Sequence, residues 1–314
     1  MLAPAVPDPE TWYRRIRGPE NQASLSITVD GDDNVVVAGD ATGVTDFGGG
    51  PVEPIGETDL FVAKYDPSGA LLWAKRFGGG AVMTTAVVAD SQGNIAVTGG
   101  YWGGPLVIGG TELEAPGERD NFVAELGPDG APRWARAFGE PGVDRPGKLA
   151  VAPGDDIVFA TTDALARLLL VRISPQGDLV FETARGAIYN IFGHIFAPVD
   201  AVRVDAHGDI YLTGITPGGD LGNGFSPQEA GEIYVVKYAG STGDFTWERR
   251  FRGTKDGDDA GQGQALVVVG DDVVIAGAAV ADTDLGGGPL SASCDAYAMA
   301  YLARLSGEDG AHVW

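Results

Sequence analysis

Asp256, Asp258 and Asp259, within residues 255–259 (KDGDD), are spaced so that their carboxylates could gather around one Ca²⁺ ion. The EF-hand pattern fails, because Ala260 stands at the fifth place and Val267 where a bidentate Glu belongs. A weakly held Ca²⁺ therefore competes with a plain solvated acidic loop. Asp30, Asp32 and Asn34 form a similar trio with Val35 at the glycine position. Asp30, Asp90 and Asp205 recur at equivalent turn positions, which predicts that they cap turn amides rather than bind metal. Only three His and one Cys are present, so Cys294 has no intrachain disulfide partner and His194 has no neighbouring ligand in sequence. No nucleophile elbow, paired-His motif or Cys/His arrangement is visible, and no catalytic residue is assigned. The glycines at 48–50, 103–104 and 286–288 lack the Lys and the strand-to-helix context of a phosphate loop; they read as turns needing positive φ.

Recognition chemistry is better represented than catalysis. Residues 187–198 (AIYNIFGHIFAP) carry Tyr189, Phe192, His194 and Phe196, and with Trp102 these are the candidate binding residues on the long-loop side. The competing account is that this apolar link folds over its own scaffold as a cover. A net charge of −23 argues against a track for phosphates, so nucleic acid is not an expected partner. The opening MLAPAVPDPE lacks the basic and apolar regions of a signal peptide, and no run of 18 apolar residues is present, so membrane insertion is not expected.

The elements that must position these residues come from a repeat. DLFVAKYDPSGALLWAKRFGG at 59–79 returns as DNFVAELGPDGAPRWARAFGE from Asp120, LLLVRISPQGDLVFETARG from Leu168 and IYVVKYAGSTGDFTWERRFRG from Ile233. Each copy reads as a hairpin: strand formers, a Gly turn, then a returning strand that carries an aromatic. Trp12, Trp73, Trp134, Phe181, Trp247 and Trp314 are separated by 61, 61, 47, 66 and 67 residues. Each interval holds four strand candidates, A to D, with tight A–B and C–D turns and long B–C and D–A links. That pattern predicts an all-β propeller of four-stranded antiparallel blades with almost no helix. The aromatics are expected to be structural anchors on strand D, sealing each blade against the next; truncating Trp134 should cost about 3–5 kcal/mol.

The strings AVVADSQGNIAVTG and FVAKYDPSGALLWAKRFGG resemble the bacterial β-propeller (SBBP-type) repeat, as do the inserts TDFGGGPV at 45–52 and TDLGGGPL at 283–290. The resemblance implies a propeller with an extracellular or cell-envelope address and no defined active site. The expected layout is a tail at 1–11 and one propeller at 12–314. Its blades lie near 19–79, 80–140, 141–186, 187–253 and 254–314, and residues 12–18 close the ring; a part of a larger ring is the alternative. The expected function is a noncatalytic module binding a protein or glycan through its long-loop face, with no cofactor unless Ca²⁺. The alternative is a hydrolase or lyase at the mouth of the propeller channel.

Overall fold

The computed structural model describes residues 12–186, 199–216, 219–224, 232–252, 261–280, 282–290 and 299–314. The described residues are all strand, turn and loop, with no helix. They fall into two compact units, Met1–Phe138 and Gly139–Trp314.

In the first unit, blade 1 uses Gln22–Val29 (A), Val35–Ala41 (B), Asp59–Tyr65 (C) and the first part of Leu71–Ala89 (D). The same Leu71–Ala89 strand runs on as strand A of blade 2, followed by Ile95–Ile108 (B), Asp120–Leu126 (C) and Pro132–Phe138 (D). The link between these blades, expected as a loop, is thus continuous strand. Gly78 and Gly79 pair with Val107 and Leu106, and a Cβ on Gly79 would lie 2.1 Å from the Pro105 carbonyl oxygen, so glycine permits the approach. The boundary drawn between residues 79 and 80 falls inside that strand. A short strand, Thr111–Leu113, pairs with the end of Ile95–Ile108.

The second unit holds three further sheets. Blade 3 is Lys148–Val151, Ile157–Thr162, Leu168–Ile173 and Leu179–Arg185, and blade 4 is Val199–Val204, Ile210–Thr216, Glu232–Tyr238 and Phe245–Phe251. Blade 5 has Gly261–Val269, Asp272–Ala279 and Met299–Leu305. A fourth strand begins there: the Val313 amide donates to the Arg304 carbonyl and the Arg304 amide to that of Trp314. Sequential antiparallel order A-B-C-D makes each sheet a propeller blade, and the fold class is that of β-propellers.

Burial follows from this layering. In blades 1 and 2 strand C is covered on both faces, so DLFVAKY and DNFVAEL are buried at every position and read as near-continuous apolar runs despite their charged residues. Strand D is less covered: in blades 2 and 3 it is mostly half-buried or exposed, alternating in blade 3. Val36, Leu60 and Val62 of blade 1 pack with Val87, Val97 and Phe122 of blade 2, and Tyr211 and Val235 of blade 4 pack with Leu266 and Ile275 of blade 5. Each such aliphatic or Phe side chain contributes about 1.5–3 kcal/mol.

Candidate functional site

The acidic residues singled out in the A–B turns are occupied in backbone work. Asp30 Oδ1 accepts the amides of Asp32 and Asn34, Asp90 Oδ1 those of Gln92 and Asn94, and Asp205 Oδ1 those of His207 and Asp209. The cation ending strand C completes the arrangement. Lys64 Nζ lies 2.6 Å from Asp30, Lys237 Nζ 3.0 Å from Asp209, Arg172 2.7 Å from Asp156 and Arg304 2.8 Å from Asp272. Burial alone would raise the Asp30 carboxyl, but Lys64, Asn34 and the turn amides outweigh it and hold the pKa at about 2.

The same cations reach the following blade. Lys64 Nζ donates to the Pro128 carbonyl, Lys237 Nζ to Gly307 and Arg172 Nη1 to Gly240, each in the next C–D turn. The strand D aromatic opposite each cation aims at that turn too. Trp73 Nε1 donates to Pro128 O at 2.9 Å and Trp247 Nε1 to Gly307 O at 3.1 Å. Trp12 Nε1 donates to Pro67 O at 2.9 Å. Phe181, with no N–H, lies close against Gly243. Trp247 is buried, Trp12, Trp73, Trp134 and Phe181 are half-buried, and Trp314 is exposed.

Blade 2 departs from this pattern at Glu125. An acid in the place of Lys64 cannot donate, and it accepts from Trp134 Nε1 at 3.1 Å while Arg133 of strand D lies 2.8 Å away. Burial drives the Glu125 pKa up to about 7; Arg133 opposes the rise and Asp90 adds to it.

The long B–C links are organised by two further devices that sequence reading did not assign. In TDFGGG, Asp46 Oδ1 accepts the amides of Gly48 and Gly50; Asp220 does the same for Gly222 and Gly224, and Asp284 for Gly286 and Gly288. All six glycines have positive φ. The intervening Phe47, Leu221 and Leu285 are buried, and the Tyr65 and Tyr238 hydroxyls donate to the carbonyls of Phe47 and Leu221. These loops therefore lie back along their own sheets, toward the C–D end, instead of standing off the long-loop face. The second device is an ion pair between the ends of strands C and D. Arg76 sits 2.7 Å from Asp59 and donates to the Ala41 and Gly43 carbonyls, while Arg250 pairs with Glu232 and donates to Gly219 O. A recurring acid at the start of strand C and Arg before the closing Phe was the available signal.

Of the candidate binding residues, Trp102 is half-buried on strand B of blade 2, with the Arg119 guanidinium 5.0 Å from its ring centroid. Tyr189, Phe192, His194 and Phe196, and the candidate Ca²⁺ ligands Asp256, Asp258 and Asp259, lie outside the described residues. Among the described residues no group of three or more His, Cys, Asp or Glu side chains is placed to hold a metal ion. Two carboxyls nearer the sheets' inner strands are raised by burial: Asp40, which accepts the Thr84 amide at 2.7 Å, and Asp200, which accepts from Gln262 at 3.0 Å.

No family model matches the chain. An uncharacterized WD repeat-containing protein, L264, of Acanthamoeba polyphaga mimivirus is 32% identical over 111 residues, 31% of this chain; the chain spans only 8% of that protein's length. Among solved structures, the Neurospora crassa Pan2 WD40 domain is 12% identical over 99% of this chain and 73% of its own, with a TM-score of 0.49. Saccharomyces cerevisiae Sqt1 is 8% identical over 95% of this chain and 86% of its own, with a TM-score of 0.40. The blade assignment rests on the strand order and register described above. Among the described residues no helix is long and apolar enough to cross a membrane.

Proposed function

We propose that the chain is a noncatalytic protein-interaction module. The supporting observation is how its links are held: the same Asp-capped loop ties the B–C links of blades 1, 4 and 5 to their sheets. Among the described residues, the carboxylates of the A–B turns and of these loops are committed to backbone amides and ion pairs. What such a link displays is the remainder; in blade 1 Glu53, Ile55 and Glu57 are exposed. Loops on a rigid scaffold are the usual carriers of recognition. The SBBP-type resemblance supports an extracellular or envelope setting, where a glycan is the other partner class.

The test is a labelled chain applied side by side to protein and glycan arrays, together with a Glu53→Lys/Ile55→Asp/Glu57→Lys variant. Protein spots that the variant loses support the reading. Signal confined to the glycan array moves the partner to that class, and binding unaffected by the variant removes blade 1's link from the contact.

A second reading, hydrolase or lyase, draws on Asp40 and Asp200, whose carboxyls burial raises, since a carboxyl that holds its proton to higher pH is better suited to proton donation. Turnover of a chromogenic ester, glycoside or uronide panel, lost in Asp200→Asn, would favour it over the binding module.

A further inference from the structure

The Asp-capped loop of blade 4 carries one residue that its counterparts lack. The loops of blades 1 and 5 read DFGGG and DLGGG, at 46–50 and 284–288, whereas blade 4 reads DLGNG at 220–224. Only the middle position suits a side chain: Gly222 and Gly224 have φ of +131° and +107°, and Asn223 between them does not have a positive φ. Crowding keeps the counterparts glycine. A Cβ on Gly49 would lie 2.9 Å from Leu71 Cδ2, and one on Gly287 2.6 Å from the His312 ring. Asn223 is exposed.

That residue has a chemistry of its own. Of the six Asn in the chain only Asn223 precedes a glycine; the others precede Gln22, Val35, Ile95, Phe122 and Ile191. The amide carbon of an Asn side chain is open to attack by the main-chain nitrogen that follows it. A bulky following residue obstructs that approach, and glycine does not. Here the nucleophile is restrained: Gly224 N donates to Asp220 Oδ1 at 3.0 Å, beside Gly222 N on the same oxygen at 2.7 Å. The carboxylate holds the N–H in place, and its charge disfavours the amide anion that attack requires.

We propose that Asn223 is a self-modification site, deamidating through Gly224 at a rate that the Asp220 carboxylate sets. Gly224 N gives its proton to solvent base and bonds to Asn223 Cγ. The Cγ–Nδ2 bond breaks, the side-chain nitrogen takes up a proton and leaves as ammonia, and a succinimide closes. Water opens the ring at either carbonyl, leaving aspartate or isoaspartate at position 223, with no oxidant or reductant consumed. Either product sets another carboxylate near Asp220. Isoaspartate also adds a main-chain carbon before Gly224 and so draws its amide away from the cap. The blade 4 link thereby ages from a tethered loop to a more acidic and looser one. This chemistry does not depend on what the links bind, and either reading can fail alone.

The test incubates the native full chain at mildly alkaline pH and follows the tryptic peptide 204–237, which holds no other Asn and no Asp-Gly step. Mass, fragmentation and isoaspartate-specific enzymatic methylation locate the product. The wild type is expected to convert slowly at position 223, faster as pH rises, while the other five Asn stay intact. Asp220→Ala should convert roughly tenfold faster or more, the effect of losing a hydrogen bond to a charged group. Asp220→Asn keeps an acceptor oxygen without the charge and should fall between, and Asn223→Gly should show no conversion. If the peptide stays intact in both wild type and Asp220→Ala, over a time in which the same peptide free in solution converts, the site is overturned. Equal rates in wild type and Asp220→Ala overturn the control by Asp220. Melting curves check that each variant is folded. If Asp220→Ala unfolds, Asp220→Asn carries the comparison, and a rate no faster than wild type overturns the proposal.

Discussion

The indole N–H of Trp73 donates to the carbonyl of Pro128, 55 residues along the chain and one blade further on, at 2.9 Å. The ring also lies against Gly130, where a Cβ would come within 2.9 Å of it and φ is +77°. A strand D aromatic therefore ties its blade to the next through one hydrogen bond and one glycine contact. Removing a fully buried aromatic costs about 3–5 kcal/mol, and a half-buried one about half as much. Trp247, which is buried, is thus expected to cost more on truncation to Ala than Trp73 or Trp134, which are half-buried. Denaturant melts giving Trp134→Ala the larger loss would refute this ranking. Gly130→Ala should cost about 1–2 kcal/mol from the left-handed backbone alone, before the ring is displaced.

Lys64 and Asp30 form a pair with side chains 5% and 2% exposed. Breaking such a pair from one side strands a charge, so Lys64→Met is expected to cost about 3–5 kcal/mol, and adding Asp30→Asn should recover part of it. The pH dependence has a definite sign. The Asp30 pKa is depressed from 3.8 to about 2, so its stabilisation is complete above 3.8 and is lost as pH falls through 2. Acid titration of Lys64→Met should show unfolding at higher pH than wild type; coincident acid midpoints would mean that the pair is not coupled to folding.

Much of this scaffold is readable in the chain because it is written locally. The Asp30, Asp90 and Asp205 turns are contiguous motifs whose side-chain oxygens bond amides two and four residues on, and the aromatic ruler marks strand D directly. What escaped reading depends on distance or exception. Asp59 and Arg76 are 17 residues apart and meet only when strands C and D pair. The Gly78–Gly80 run punctuates the sequence like a loop, yet Gly78 and Gly79 pair as strand with Gly80 bulged between Gly79 and Ala81, the missing side chains permitting the close approach. The TDFGGG loops announce their turns but not that Phe47 is buried, which drags the link back onto its sheet. The candidate residues in 187–198 and 255–259 were chosen by composition, and those segments lie outside the described residues.

Glu125 is the exception with a titratable consequence. Its pKa is raised from 4.5 to about 7, chiefly by burial, so the folded state binds more protons than the unfolded state between these values. Stability should therefore decline as pH rises from about 4.5 through about 7, the reverse of the Asp30 effect. Glu125→Gln keeps an acceptor for Trp134 and removes the charge, so its melting temperature should vary less over this window. A variant with the wild-type slope would assign the pH dependence to other groups.

Asp284 makes a sharper test of the link architecture, because its loop can loosen without the sheets failing. One carboxylate oxygen holds the amides of Gly286 and Gly288 at 2.7 and 2.9 Å, while Leu285 between them is buried. Asp284→Ala leaves both amides without that acceptor but leaves Leu285 its packing. Hydrogen exchange at Gly286 and Gly288 should accelerate at least about tenfold, the factor that a loss of roughly 1.4 kcal/mol in local protection produces, with little change at Val273 or Ile275 in strand B. Uniform acceleration across the blade would mean that the loop and sheet open together. In that case the link is part of the cooperative core and not a separately tethered surface, and the case for displaying a partner site there weakens with it.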